Sequence, residues 1–174
     1  KGIDIIQKTI SNYIEFNRVR LVLLGSGDKH YTDFFYYLRD KFPNKVIIQI
    51  GYNTSFSHKI FASSDFMLIP SRFEPCGLTQ MYALKYGTIP IVRHTGGLAD
   101  TVFEYLPDHS TGNGLVFNNY SSDDFEFALN RALSIYNHQP HWSKIRLNAM
   151  NSNYSSYKSA ENYIQIFQWA LEKL

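Results

Sequence analysis

The residue types that could do chemistry crowd into two short runs, Ser71-Arg72-Phe73-Glu74-Pro75-Cys76-Gly77-Leu78-Thr79-Gln80 and Arg93-His94-Thr95-Gly96-Gly97-Leu98. They combine a carboxylate, the only cysteine, glycine turns and two helix starts, where ordinary core sequence would show apolar periodicity. Pro75 suits the opening of a helix and Gly77 permits close backbone approach. The free N–H groups of the turn that follows would face an anion or a sugar hydroxyl. Alone, Glu74 has a plainer role, an acid that complements a helix dipole. Its position in a loop after a buried strand, with a second glycine-rich helix start one unit later, tilts the reading toward a ligand site.

Three further features carry weaker signals. Gly25-Ser26-Gly27-Asp28 could cradle a phosphate because glycine turns expose N–H groups, although a tight turn is the default for such a run. Tyr52, directly after Gly51, could stack on a base, but in a chain with 13 tyrosines a surface or packing role is the default. Cys76 could be a nucleophile activated by a helix N-terminus. That mechanism needs a base, and spacing sets neither His58 nor His94 against it, so a binding or packing role is preferred. His58, inside a helical Ser-His-Lys-Ile run, reads as a satisfied polar residue.

The elements that must position these residues are legible from periodicity. Residues 3–17 carry Ile3, Ile6, Ile10, Tyr13 and Ile14 at helical spacing, and the apolar run Val19 to Leu24 then ends in the glycine turn. A helix from about Tyr31 to Phe42, closed by Pro43, precedes a strand from Val46 to Ile50. Another from Ser55 to Ser63 precedes Phe66 to Ile69, and one from near Gly77 to Gly87 precedes Ile89 to Val92. A short helix from Leu98 to Glu104 and a polar loop lead to a strand at Leu115 to Phe117. Helices then fill residues 122–137, 141–150 and 158–173. Continuous apolar strands alternating with helices predict an α/β fold, a doubly wound parallel sheet with helices on both faces. The turns at Gly25 to Asp28, Gly51, Pro70 and Gly96-Gly97 fall at strand carboxyl ends, where such sheets bind ligands.

Composition bounds the rest. At 174 residues, 44% hydrophobic and 18% charged, the chain suits a single folded domain without an internal linker. A net charge of +2 is too small to argue for a polyanion partner, and no nucleic-acid partner is expected. One cysteine rules out an internal disulfide and a multi-cysteine metal site. No apolar run approaches the ~20 residues that span a bilayer, so no membrane role is expected. From the residues alone the reading reaches a nucleotide or phosphosugar ligand.

The run from Ser71 to Pro90, continuing through Arg93 to Val102, closely resembles bacterial glycogen synthases and plant or algal starch synthases. The likeness extends to Lys1-Gly2-Ile3-Asp4, to Leu21 through Asp28, to Gly51-Tyr52 with Ser57-His58, and more loosely to Asn148-Ala149-Met150. It implies that residues 1–174 form the Rossmann-like, donor-binding, carboxyl-terminal half of a B-type glycosyltransferase. The amino-terminal acceptor domain is expected to lie outside this chain, and the terminal helix, residues 153–174, to pack toward it. The implied activity is transfer of glucose from ADP-glucose to an α-1,4-glucan, with retention and with neither metal nor cofactor. By the same resemblance Lys1 neutralises the diphosphate and Glu74 sits beside the glucose hydroxyls. Cys76, Gly77 and Leu78 offer backbone contacts, Thr79 lies near the phosphates, Tyr52 packs on adenine, and Gly25, Gly27 and Asp28 line the nucleotide. Location would follow pathway, plastid for starch and cytoplasm for bacterial glycogen.

Two departures stand out. Many related transferases carry a second glutamate eight residues after the first, where this chain has Tyr82, a difference shared with the narrower family. Ser156 replaces a tryptophan usual before the last helix. Two other readings remain open: a retaining transferase using UDP-glucose, and a glucan-binding or regulatory domain without turnover.

Overall fold

The computed structural model describes residues 1–172. The chain runs α1 (Ile3–Phe16), β1 (Leu21–Gly25), α2 (Lys29–Lys41), β2 (Val46–Ile50), α3 (Thr54–Ser63), β3 (Phe66–Ile69), α4 (Thr79–Tyr86) and β4 (Ile89–Arg93). It continues through α5 (Gly96–Thr101), β5 (Leu115–Phe117), α6 (Ser122–Asn137), α7 (Gln139–Met150) and α8 (Ser156–Leu171). Each expected element is present, with ends displaced by a few residues. Residues 173–174, at the end of the expected terminal helix, lie outside the described residues.

All strand pairing is parallel, β1 with β2 and β3-β4-β5 as a triplet. Side-chain alternation then sorts the core into two layers. Phe66, Leu68, Ile89, Ile91, Leu115 and Phe117 point to one face, where α1, α6 and α7 bring Ile10, Phe125 and Trp142. Met67, Ile69, Val92 and Val116 point to the other, under Leu98 of α5 and the neighbouring Val102. The sheet is therefore covered on both sides, as the unbroken apolar strands require. The two strand groups are not joined to each other: among the described residues no backbone hydrogen bond links β1 to β3. A cleft of about 990 Å³ runs down the sheet between them.

Local chemistry explains the element ends. Asn53, Ser121 and Ser155 cap α3, α6 and α8 by accepting from the amides of Phe56, Asp124 and Lys158. Gly87 ends α4 in the left-handed region that glycine tolerates, with φ 75°. The helix that ends there begins at Thr79 rather than near Gly77, because Gly77 itself has φ 73°. Gly77 therefore belongs to the loop. Exposure singles out α8, which buries none of its residues. It presents Tyr157, Tyr163, Ile164, Phe167 and Trp169 to solvent.

Candidate functional site

The loop between β3 and α4 is anchored at both ends and open in the middle. Ser71, Glu74 and Gln80 are buried, while Pro75, Cys76, Leu78 and Thr79 are exposed. At one end, Glu74 is only 8% exposed, and its Oε2 accepts from Lys1 Nζ at 2.6 Å and from Ser71 Oγ at 3.1 Å. The two residues that the resemblance assigns to catalysis, 73 positions apart in sequence, thus meet in space.

At the other end, Gln80 reaches back under the loop. Its Nε2 lies 3.1 Å from Cys76 O, 3.0 Å from Gly77 O and 3.1 Å from Thr101 Oγ1. Thr101 in turn donates to Gly97 O at 2.6 Å. The second glycine run closes the brace. Gly97 donates its N–H to Glu74 O at 3.0 Å, and a Cβ on Gly97 would stand 2.0 Å from Cys76 O. One on Gly96 would stand 2.0 Å from Glu74 O. Side chains are excluded at both positions because the loop lies directly on the start of α5. The two sequence runs are one substructure.

This brace leaves the outer face of the loop available. The first bond that α4 makes from its own turn is Tyr82 N–H to Leu78 O, so among the described residues the N–H groups of Thr79, Gln80 and Met81 have no backbone acceptor. With the unpaired amides of Cys76 and Gly77 they form an anion-friendly end. Beside Lys1 lies a smaller cavity of about 340 Å³, lined in part by Asp4, Tyr31, Arg72 and Tyr120. Arg72 lies 4.5 Å over the Tyr120 ring, and Tyr120 donates its hydroxyl to Asp4 Oδ1 at 2.6 Å. That bond holds the Asp4 carboxyl below its ordinary pKa against the opposing effect of burial. Arg93, at the end of β4, donates to Ser71 O at 2.9 Å and also to Arg72 O. The larger cleft along the sheet lies below these carboxyl-end loops.

The other predicted residues stand on the same edge. Gly25, Gly27 and Asp28 follow β1, and Tyr52 follows β2. Gly51 N–H donates to Gly25 O at 2.9 Å, which sets these two turns side by side. A Cβ on Gly25 or Gly27 would meet nothing within 4 Å. The chain itself thus gives no packing reason for glycine there. Tyr52 is 91% exposed and free to offer a ring face. Among the described residues neither His58 nor His94 is bonded to Cys76, whose nearest acceptor is Gly77 O at 3.8 Å. His58 instead pairs through Nδ1 with Tyr86 Oη at 3.0 Å. The buried brace of Ser71, Gln80 and Thr101, and the group of Asp4, Arg72 and Tyr120, went unseen in the sequence. Their partners lie on different elements, and no spacing rule connects them.

The family model described as glycosyl transferases group 1 matches residues 1–147. The chain belongs to that family. Among individual relatives it is 44% identical over 168 residues to a glycogen synthase of Bacillus subtilis, which covers 97% of this chain and 35% of the relative. To a glycogen synthase of Clostridium botulinum it is 46% identical with the same coverage. The chain therefore spans about a third of the length of these curated relatives. Among solved structures, the catalytic domain of starch synthase IV from Arabidopsis thaliana, bound to ADP and acarbose, superimposes with a TM-score of 0.83 at 34% identity. That match covers 99% of this chain and 36% of the other. Sucrose-phosphate synthase from Thermosynechococcus elongatus, at 17% identity and a TM-score of 0.69, shares the fold. No helix among the described residues is long and apolar enough to cross a membrane.

Proposed function

We propose that this chain is the donor-binding domain of a retaining glucosyltransferase that lengthens an α-1,4-glucan from ADP-glucose. The observation that carries the reading is the convergence of Lys1 on buried Glu74 at the foot of a braced loop whose amides face outward. In this reading Lys1 and the opening turn of α4 hold the diphosphate, with Thr79 beside it. Glu74 accepts from glucose hydroxyls, and the backbone at Cys76, Gly77 and Leu78 lines the sugar. Tyr52 covers adenine, and Gly25, Gly27 and Asp28 wall the nucleotide. The open space over both glycines supports a ligand at that turn.

Negative charge on the diphosphate grows as the glucosyl bond breaks. A lysine and helix amides fixed there therefore stabilise the transition state more than the bound donor, each by about 3 kcal/mol. No step requires a metal. In this reading the glucan acceptor is met by the remainder of the protein, and the bare apolar face of α8 packs against it.

A chimaera tests this directly. The matched segment of the Bacillus subtilis glycogen synthase is replaced by this chain, and glucose transfer to glycogen is assayed with ADP-glucose and with UDP-glucose. Transfer from ADP-glucose that is lost in Glu74→Ala supports the assignment. Preference for UDP-glucose, or a folded chimaera without transfer from either donor, contradicts it.

A further inference from the structure

Gln80, at the centre of the brace, is fully buried, and its donors and acceptors do not match their surroundings. Three acceptors, Cys76 O, Gly77 O and Thr101 Oγ1, surround Nε2 at 3.0–3.1 Å and fix which end of the carboxamide is the amine. Thr101 spends its own proton on Gly97 O, so it can only accept from Gln80. The amine has two protons for these three acceptors. Oε1, at the other end, is buried with no donor among the described residues. The site is short of one donor and has one acceptor too many, and turning a single peptide over corrects both.

Oε1 faces Gly77, where a Cβ would stand 2.5 Å from it. The peptides on either side of Gly77 both turn their carbonyls to Gln80. Turning over the Gly77–Leu78 peptide would take φ of Leu78 from −110° to about +70°, a region that a leucine side chain disfavours. Turning over the Cys76–Gly77 peptide takes φ of Gly77 from 73° to about −107°, which any residue adopts. That rotation removes Cys76 O from Nε2, leaving two acceptors for two protons, and brings Gly77 N–H in toward Oε1. Gly97 leaves room for it, since a Cβ there would stand 2.0 Å from Cys76 O. The two orientations also differ in what they show outward. With its carbonyl on Gln80, the trans peptide directs Gly77 N–H away, toward the free amides of the α4 turn. Turned over, it puts a carbonyl oxygen there, which repels an anion that the N–H would bind.

We infer that Gln80 is a positioning residue that sets the direction of the Cys76–Gly77 peptide. Without ligand this peptide exchanges between N–H outward and N–H inward on Gln80 Oε1, and an anion at the α4 turn selects the outward state. The selection rests on the diphosphate seat of the proposed function. The two peptide states rest on the buried contacts of Gln80 alone.

The test uses the chimaera with the Bacillus subtilis glycogen synthase. Gln80→Glu replaces the amine by a second acceptor oxygen and so holds the peptide N–H inward. Gly77→Ala has the same effect from the backbone, because alanine is strained at φ 73°. Titration calorimetry is expected to show ADP weakened about 10-fold by either substitution, while adenosine, which has no phosphate, keeps its affinity within about twofold. Crystal structures are expected to show the Cys76 carbonyl facing Gln80 in the wild type with ADP, and facing outward in ligand-free Gln80→Glu. If Gln80→Glu does not fold, Gly77→Ala takes both measurements. A carbonyl that points the same way in both structures overturns the inference, and so does ADP binding that neither substitution weakens. Wild type that binds ADP no better than adenosine contradicts the diphosphate seat instead. The carbonyl direction in the ligand-free variant then decides the two peptide states by itself, outward supporting them and inward overturning them.

Discussion

Glu74 gathers the most consequential contacts of any residue in the loop. Its carboxylate is buried against Lys1 and Ser71, while its backbone carbonyl takes the first amide of the Gly97 turn. The Lys1 end of the ion pair is 71% exposed, so the lysine can exchange Glu74 for a phosphate at little cost. Glu74→Ala should therefore weaken ADP-glucose at least 10-fold while leaving ADP within about threefold, a difference that competition binding would read. Gly97 makes a separate, structural prediction. A methyl group there meets the Cys76 carbonyl, backbone on backbone, and neither side can yield cheaply. Gly97→Ala should cost about 2 kcal/mol, a drop in Tm of roughly 4–8 °C by calorimetry. An unchanged Tm would mean that the loop does not rest on α5.

At the scale of elements, the α1 start is tied to the far end of the β5–α6 connection by the bond from Tyr120 to Asp4. The folded pKa of Asp4 is lowered, so its contribution is complete above the ordinary carboxylate value of about 3.9 and is lost as pH falls through the lower folded value. Tyr120→Phe should consequently move the acid-unfolding midpoint toward neutral pH, with little change in stability difference at pH values below both pKa values. Circular dichroism across an acid titration would check this. Gln80 makes the parallel case within the loop: Gln80→Ala strands the carbonyls of Cys76 and Gly77 and should lower both stability and transfer.

Elements were readable where each strand is a continuous apolar run and each helix repeats at 3.6, because burial dictates those patterns locally. Which strands touch is set by crossover geometry, so the open edge between β1 and β3 left no trace in periodicity. Lys1 and Glu74 could be proposed as a site through resemblance, but their contact spans 73 positions and was not derivable. Gln80 and Thr101 read as ordinary helix residues, and only the fold reveals them as a brace.

For the whole molecule, the bare faces matter more than the covered ones. Since α8 buries none of its residues and displays an aromatic stripe, deleting residues 156–174 should leave Tm within about 2 °C while abolishing activity in the glycogen synthase chimaera. A large loss of stability in the isolated domain would show that α8 packs on its own chain. The carboxyl edge of the sheet, by contrast, carries the Gly25 turn, Tyr52 and the Glu74 loop together, and the proposed function sets all three against one ligand.

Titration calorimetry of ADP against the chimaera carrying this domain tests that claim most directly. Base stacking on an aromatic ring is worth about 1–3 kcal/mol, so Tyr52→Ala should weaken ADP roughly 5- to 150-fold, with Lys1→Ala weakening it as well. Equal ADP affinity in the wild type, Tyr52→Ala and Lys1→Ala would contradict a nucleotide seated across this edge.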